Sequence, residues 1–321
     1  MRADAWLVAA VASAHLACRR ADPAPPPPPA ASIASAQLNL PAPDGAPPPS
    51  PRRFDARSPE DSELLRAHAE SLRAHFGATT GPLEVMAAPG AEGRVILLVQ
   101  AKGAKHAPLV LVSDARRALL WTKARPLAGT ARGGRLVSIA GGPDGDVLIA
   151  WCDDGSGALA ARRWDAEGGL LADYQLLPSA TCDSLTSLYW PGEGWVVVAS
   201  LLGAGRAQLL GERGALRWGH EGLSLGRGFR APTPHTIVQD TDRSVIVLGY
   251  GYAELGRGDR AVAWRVSREG RVSFRVELGD APRGALLPAL DAERLEAGLV
   301  RVSLSDQRVE ITSEGQVRLP R

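Results

Sequence analysis

Carboxylates crowd the chain at two places. Asp153 and Asp154 stand together with Asp183 further on, and Asp240-Thr241-Asp242 forms a second group. Paired carboxyl groups can divide the work of a hydrolase or lyase, because one donates a proton while the other stays charged. A different chemistry is offered by His106, Arg227, Arg230, Tyr250, Tyr252 and Arg257. Arginine forks and aromatic rings together suit an anionic or sugar ligand. Gly222-Leu223-Ser224-Leu225-Gly226 fits the G-x-S-x-G pattern. That pattern makes a nucleophile only on a strand–turn–helix, with an Asp and a His to follow. No helical periodicity follows it, and His235 is the one later histidine, so a loop is expected. Asp240-Thr241-Asp242 opens like a calcium loop, but Val245 takes the place of the sixth-position glycine and no glutamate closes it; it reads as a hairpin turn.

Other chemistries fail on spacing. His68 and His75 lie seven apart, whereas a helical zinc pair needs i, i+4. Gly249-Tyr250-Gly251-Tyr252-Ala253-Glu254 lacks the third glycine of a dinucleotide fingerprint, and there is no P-loop. No metal and no cofactor is expected. A formal net charge of +2, with basic residues not interleaved with aromatics, points away from nucleic acid.

The elements that must position these residues repeat. Apolar second strands begin at Val95, Val147, Trp195, Val245 and Leu295, at intervals of 52, 48, 50 and 50 residues. Fourth strands begin near Leu119, Leu170, Leu216, Val272 and Val317, each after a polar turn. Four of those turns carry glycine, at Gly168, Gly214, Gly270 and Gly315, and the first has Arg116-Arg117 instead. Four strands per period of about 50 mark a β-propeller. The fold class expected is all-β, a five-bladed propeller over residues 82–320. The tryptophans 121, 151, 164, 190, 195, 218 and 264 are expected to pack between blades.

The unit at 138–174 is the clearest copy. Pro143-Asp144-Gly145 precedes an aliphatic strand, and Arg163-Trp164-Asp165-Ala166-Glu167-Gly168 follows a polar turn. Asp-Gly supplies the positive φ angles of a two-residue hairpin. This unit resembles the repeats of bacterial exported β-propeller proteins. The resemblance implies fold and export; such families share no single activity.

In a propeller, the loops from strand two to strand three and from strand four to the next blade share one face. That face would collect Lys102, Lys105, His106, Arg132, Asp153, Asp154, the long link 219–234 with Arg227 and Arg230, and Tyr252 to Asp259, which includes Arg257. Cys152 and Cys182 also fall there, and an exported chain would join them as a disulfide.

Before the propeller come three segments. Residues 1–17 read as a signal peptide, with a short apolar run and small residues at its end. Ala17-Cys18 resembles the end of a bacterial lipobox, which implies that Cys18 carries lipid; Ala12-Ser13-Ala14 offers ordinary cleavage instead. Residues 18–57 form a Pro/Ala-rich tether, a composition that cannot build a packed core. Residues 58–77 read as one amphipathic helix: Ser58 caps it, Pro59 opens it, and Leu65, Ala69, Leu72 and Phe76 share a face.

The expectation is therefore an exported monomer, either an outer-membrane lipoprotein or a periplasmic or extracellular protein, that meets the membrane through its lipid alone. It would act as a non-catalytic module that binds an envelope protein or a glycan. The alternatives are an envelope hydrolase or lyase using loop-face carboxylates (Asp153, Asp154 and Asp183), and a structural part of an envelope assembly.

Overall fold

An apolar run such as Val147-Leu148-Ile149-Ala150 gives neither face of its strand to water, so both faces must be covered. The computed structural model covers both. It describes residues 66, 68–76, 83–101, 108–114, 116, 118–124, 137–153, 158–178, 182–201, 204–225, 229–253, 259–281, 290–304 and 307–320. Cys18, the signal and the tether lie outside these residues, as do the start of the helix and Ser58.

The strands fall into five antiparallel sheets of four, each a meander in chain order. Blade one holds β1 (Leu83–Pro89), β2 (Val95–Ala101), β3 (Leu109–Ser113) and β4 (Leu119–Ala124). Blade two holds β5 (Val137–Gly141), β6 (Val147–Asp153), β7 (Ala158–Trp164) and β8 (Leu170–Leu177). Blade three holds β9 (Cys182–Trp190), β10 (Gly194–Leu201), β11 (Ala204–Gly211) and β12 (Leu223–Ser224). Blade four holds β13 (Phe229–Thr241), β14 (Ser244–Ala253), β15 (Asp259–Ser267) and β16 (Val272–Asp280). Blade five holds β17 (Asp291–Glu296), β18 (Leu299–Ser303), β19 (Arg308–Thr312) and β20 (Val317–Arg318). This is a five-bladed β-propeller.

The apolar core is divided among the blade interfaces. Leu98 and Val112 of blade one meet Ile149 and Trp164 of blade two. Leu148 and Ala161, on the other face of blade two, meet Trp195 and Val197. Val196 and Leu209 meet Val247 and Trp264, and Ile246 and Ala263 meet Val300 and Ile311. Trp190, Trp195 and Trp264 are fully buried, as expected of residues packed between blades.

Two boundaries differ from the sequence expectation. The second strand of blade five begins at Leu299, and Leu295 belongs to the first strand, β17. Blade five has no continuous apolar run to mark the strand, because β18 alternates apolar and polar residues. Leu216 makes only an isolated bridge to Leu210, and the fourth strand of blade three is the short β12.

A second regularity links the blades at their outer edges. The turns after the third strands place Gly168, Gly214, Gly270 and Gly315 at positive φ, between +76° and +84°. On each rests an aromatic ring from the outer edge of the preceding blade: Trp121, Tyr174 and Phe274 from its outer strand, and Trp218 from the segment before β12. Glycine serves twice here, for the left-handed backbone and for the close approach of the ring.

The helix described, α1 (Ala69–Phe76), lies on blade one. Leu72 and Phe76 pack on Leu97, Val99, Leu109 and Leu111, the face of blade one turned away from blade two. His68, just before the helix, is buried, and burial lowers its pKa.

Candidate functional site

Propeller geometry gathers strand ends on two opposite faces, and the two are built differently. On the face of the 2–3 loops, β6 ends and β9 begins. Cys152 and Cys182 are joined there by a disulfide, with their Cα atoms 6.0 Å apart. The bond therefore ties blade two to blade three. Next to it the ladder between β9 and β10 slips: Leu201 faces Cys182 while Ser200 faces Ser184, leaving Asp183 as the extra residue. Such a bulge bends a strand and re-aims its side chains, and bulges gather at functional rims. Asp153, the neighbour of Cys152, pairs with Ala158 in the same corner.

Blade four contributes the rest of this face. The link 219–234, expected as a loop, carries strand at two places: β12 lies within it and β13 begins at Phe229. β14 runs ten residues, the longest second strand of the five. It pairs with β13 as far as Phe229↔Ala253, and in this extension Arg230 faces Tyr252. The ladder slips between Arg230 and Thr233 and again between Pro234 and Thr236. Arg230 and Tyr252, far apart in sequence, are thus backbone neighbours at one rim. Arg260, two strands from Arg230, is paired with Asp280 and Glu277. Tyr250, expected to face a ligand, instead lies buried in the core shared with blade five, and burial raises its pKa. His106, Asp154, Arg227 and Arg257 lie outside the described residues.

The opposite face, where the tight turns lie, carries ion networks that motif spacing did not reveal. The Arg163 guanidinium donates to Asp146, with Nε 2.8 Å from Oδ2. It also donates to the carbonyl of Glu212 in the next blade, and stacks 4.4 Å over the Trp195 ring. Tyr189 packs on Trp195 from the same blade and donates to Glu212 at 2.6 Å. Burial and the Glu212 carboxylate push the Tyr189 phenol well above its ordinary pKa. Blade four repeats the device with other residues. Arg265 lies 2.7 Å from fully buried Asp240, is bound to Ser244, and reaches the Ser313 carbonyl of blade five. Each arginine thus staples one blade to the next.

These networks settle two motif readings. Asp240 holds Arg265 and Ser244, and turns the chain as a hairpin. Ser224 sits on β12, and the next described element is the strand β13, not a helix. A nucleophile elbow needs that helix. Among the described residues, no three His, Cys, Asp or Glu side chains come together in a way that could hold a metal ion.

No family model matches the chain. No curated protein sequence matches it either. Similar solved structures exist at low identity. A protein of unknown function from Dyadobacter fermentans is 15% identical, with TM-score 0.49, covering 76% of this chain and 77% of its own. The SapL1 lectin, solved with alpha methyl fucoside, is 15% identical with TM-score 0.44, covering 76% and 81%. The Dos1 propeller is 11% identical with TM-score 0.37, covering 72% and 71%.

Proposed function

We propose that the chain is an exported, membrane-anchored binding module of the cell envelope, and that an envelope protein or a glycan meets it at the face of the 2–3 loops. The observation that carries this reading is the disulfide between Cys152 and Cys182. A bond between two blades, at the rim of one face, suits an oxidising compartment, since cytosolic thiols keep such pairs reduced. It also stiffens the rim from which ligand-binding residues project, and binding favours short, rigidly held segments over mobile ones. The address fits: an apolar leader, a lipobox-like Ala17-Cys18 and a Pro/Ala-rich tether hold a domain away from a membrane. The chemistry of the rim fits as well. Arg230 and Tyr252 are paired positions in the ladder, and arginine and tyrosine are residue types that suit an anionic or sugar ligand.

The test is a screen of the full chain, purified with its disulfide intact, against glycans and envelope proteins. Specific, saturable binding is expected. Turnover of a polysaccharide or peptide without stable binding would replace this reading with the hydrolase or lyase.

A further inference from the structure

Four of the blade faces that point along the ring are joined by the same two devices, an apolar cluster and an aromatic ring seated on a glycine. At the seam between blade five and blade one, the sequence carries neither half of the second. Arg117 stands where the other turns carry glycine, and Leu319 stands four residues after Gly315, where Trp218 and Phe274 stand after their own turn glycines. Leu319 is 69% exposed.

The faces themselves differ too. β18 and β19 turn Val300, Val302, Val309 and Ile311 towards blade four. The alternate residues form one row across the whole blade, in register: Glu293↔Arg301, Arg301↔Glu310, Glu310↔Arg318. The charges alternate, and the row is ion-paired throughout, at 3.2, 3.0 and 3.3 Å. Such a row is how a repeat array ends, with a polar outer face on its last unit. It does not match the apolar face of blade one formed by Leu97, Val99, Leu109 and Leu111. That face is covered by Leu72 and Phe76 of α1.

We propose that α1 is a detachable cap: it takes the place of a fifth blade-to-blade core, and its release bares the outer face of blade one while the other four interfaces stay packed. The helix described has eight residues, too short to hold its own fold in water, so its order depends on burying Leu72 and Phe76, with His68 at its start. Undocking it breaks no β-ladder bond. Each of the other interfaces, by contrast, commits whole strands on both sides. A local opening of low cost, separate from global unfolding, follows from that difference.

Thiol labelling of the full chain tests this, in a Cys18→Ser background with the native disulfide intact. Leu111→Cys places a thiol under the cap, and Val197→Cys places one between blades two and three. Both positions are fully buried. Under native conditions the thiol at 111 is expected to react at least tenfold faster than the thiol at 197. Adding Phe76→Ala should accelerate the first at least fivefold and leave the second unchanged. Leu109→Cys serves the same comparison if the deeper substitution prevents folding. Equal rates at the two sites, or acceleration of both by Phe76→Ala, would overturn the proposal and make α1 part of one cooperative core.

Discussion

The Trp218 indole lies over the α-carbon of Gly270 in the next blade, and its N–H donates to the Arg268 carbonyl at 3.0 Å. A methyl group at Gly270 would come within 2.7 Å of the ring. Gly192 has the same φ, +76°, but has nothing within 4 Å of the methyl position. The pair separates backbone strain from ring contact. Gly192→Ala is expected to cost about 1–2 kcal/mol, the strain of a left-handed residue. Gly270→Ala should cost roughly 1–3 kcal/mol more, as overpacking displaces the ring. Urea denaturation of the two variants measures the difference; equal losses would mean the ring contact contributes nothing.

Asp240 and Arg265 form a buried pair at the interface of blades four and five. Asp240→Ala leaves the partly buried Arg265 guanidinium without its carboxylate and is expected to cost about 3 kcal/mol. Replacing both, as Asp240→Ala with Arg265→Leu, should recover a large part of that loss. Additive losses in the double-mutant cycle would show that the two residues act independently.

The disulfide closes a loop between residues 30 apart in sequence. Paired Cys152→Ser and Cys182→Ser substitutions are expected to lower stability by about 3–4 kcal/mol on the chain-entropy argument. Calorimetry reads this as a melting temperature lower by roughly 2–4 °C for each kcal/mol. Peptide mapping without reductant should also join the two cysteines in protein taken from its native compartment, and finding both as free thiols would count against export.

His68 gives the cap a pH dependence of known sign. Burial depresses its pKa in the folded chain, so the folded state holds the neutral ring. Docking is therefore undisturbed above about pH 6.5, the ordinary value, and weakens as pH falls below it. Helix docking followed by thiol labelling at position 111 should loosen between pH 6.5 and 5, and His68→Leu should remove that sensitivity.

The repeat was legible because four blades are covered on both faces. Their second strands read as unbroken apolar runs, and the outer turns of blades two to five carry glycine. Blade five escaped the same reading because one of its faces is charged: Leu299-Val300-Arg301-Val302-Ser303 alternates, and the nearest apolar residue in phase was Leu295. The alternation was in the sequence and marked the end of the array. The disulfide was expected from an even pair of cysteines in a chain read as exported, and its face from strand order. The long link 219–234 looked like a loop because its Gly and Pro residues hide strand pairing that only β14, its partner, supplies. Tyr250 was grouped with the ligand candidates for want of its partner surface on blade five. The pairing of Arg163 with Asp146 and of Arg265 with Asp240 was not legible, because each staple joins residues from separate strands and blades, and blade four draws its carboxylate from a different position than blade two.

The central claim is that ligand meets the face of Arg230 and Tyr252. Its most direct test is the affinity of the chain for the ligand found by screening, measured by calorimetric titration of three variants. Arg230→Ala and Tyr252→Ala are each expected to weaken binding at least tenfold. Arg271→Ala, at an exposed residue of the opposite face, should leave it unchanged. Binding that ignores the first two substitutions, or is lost with the third, would contradict the account.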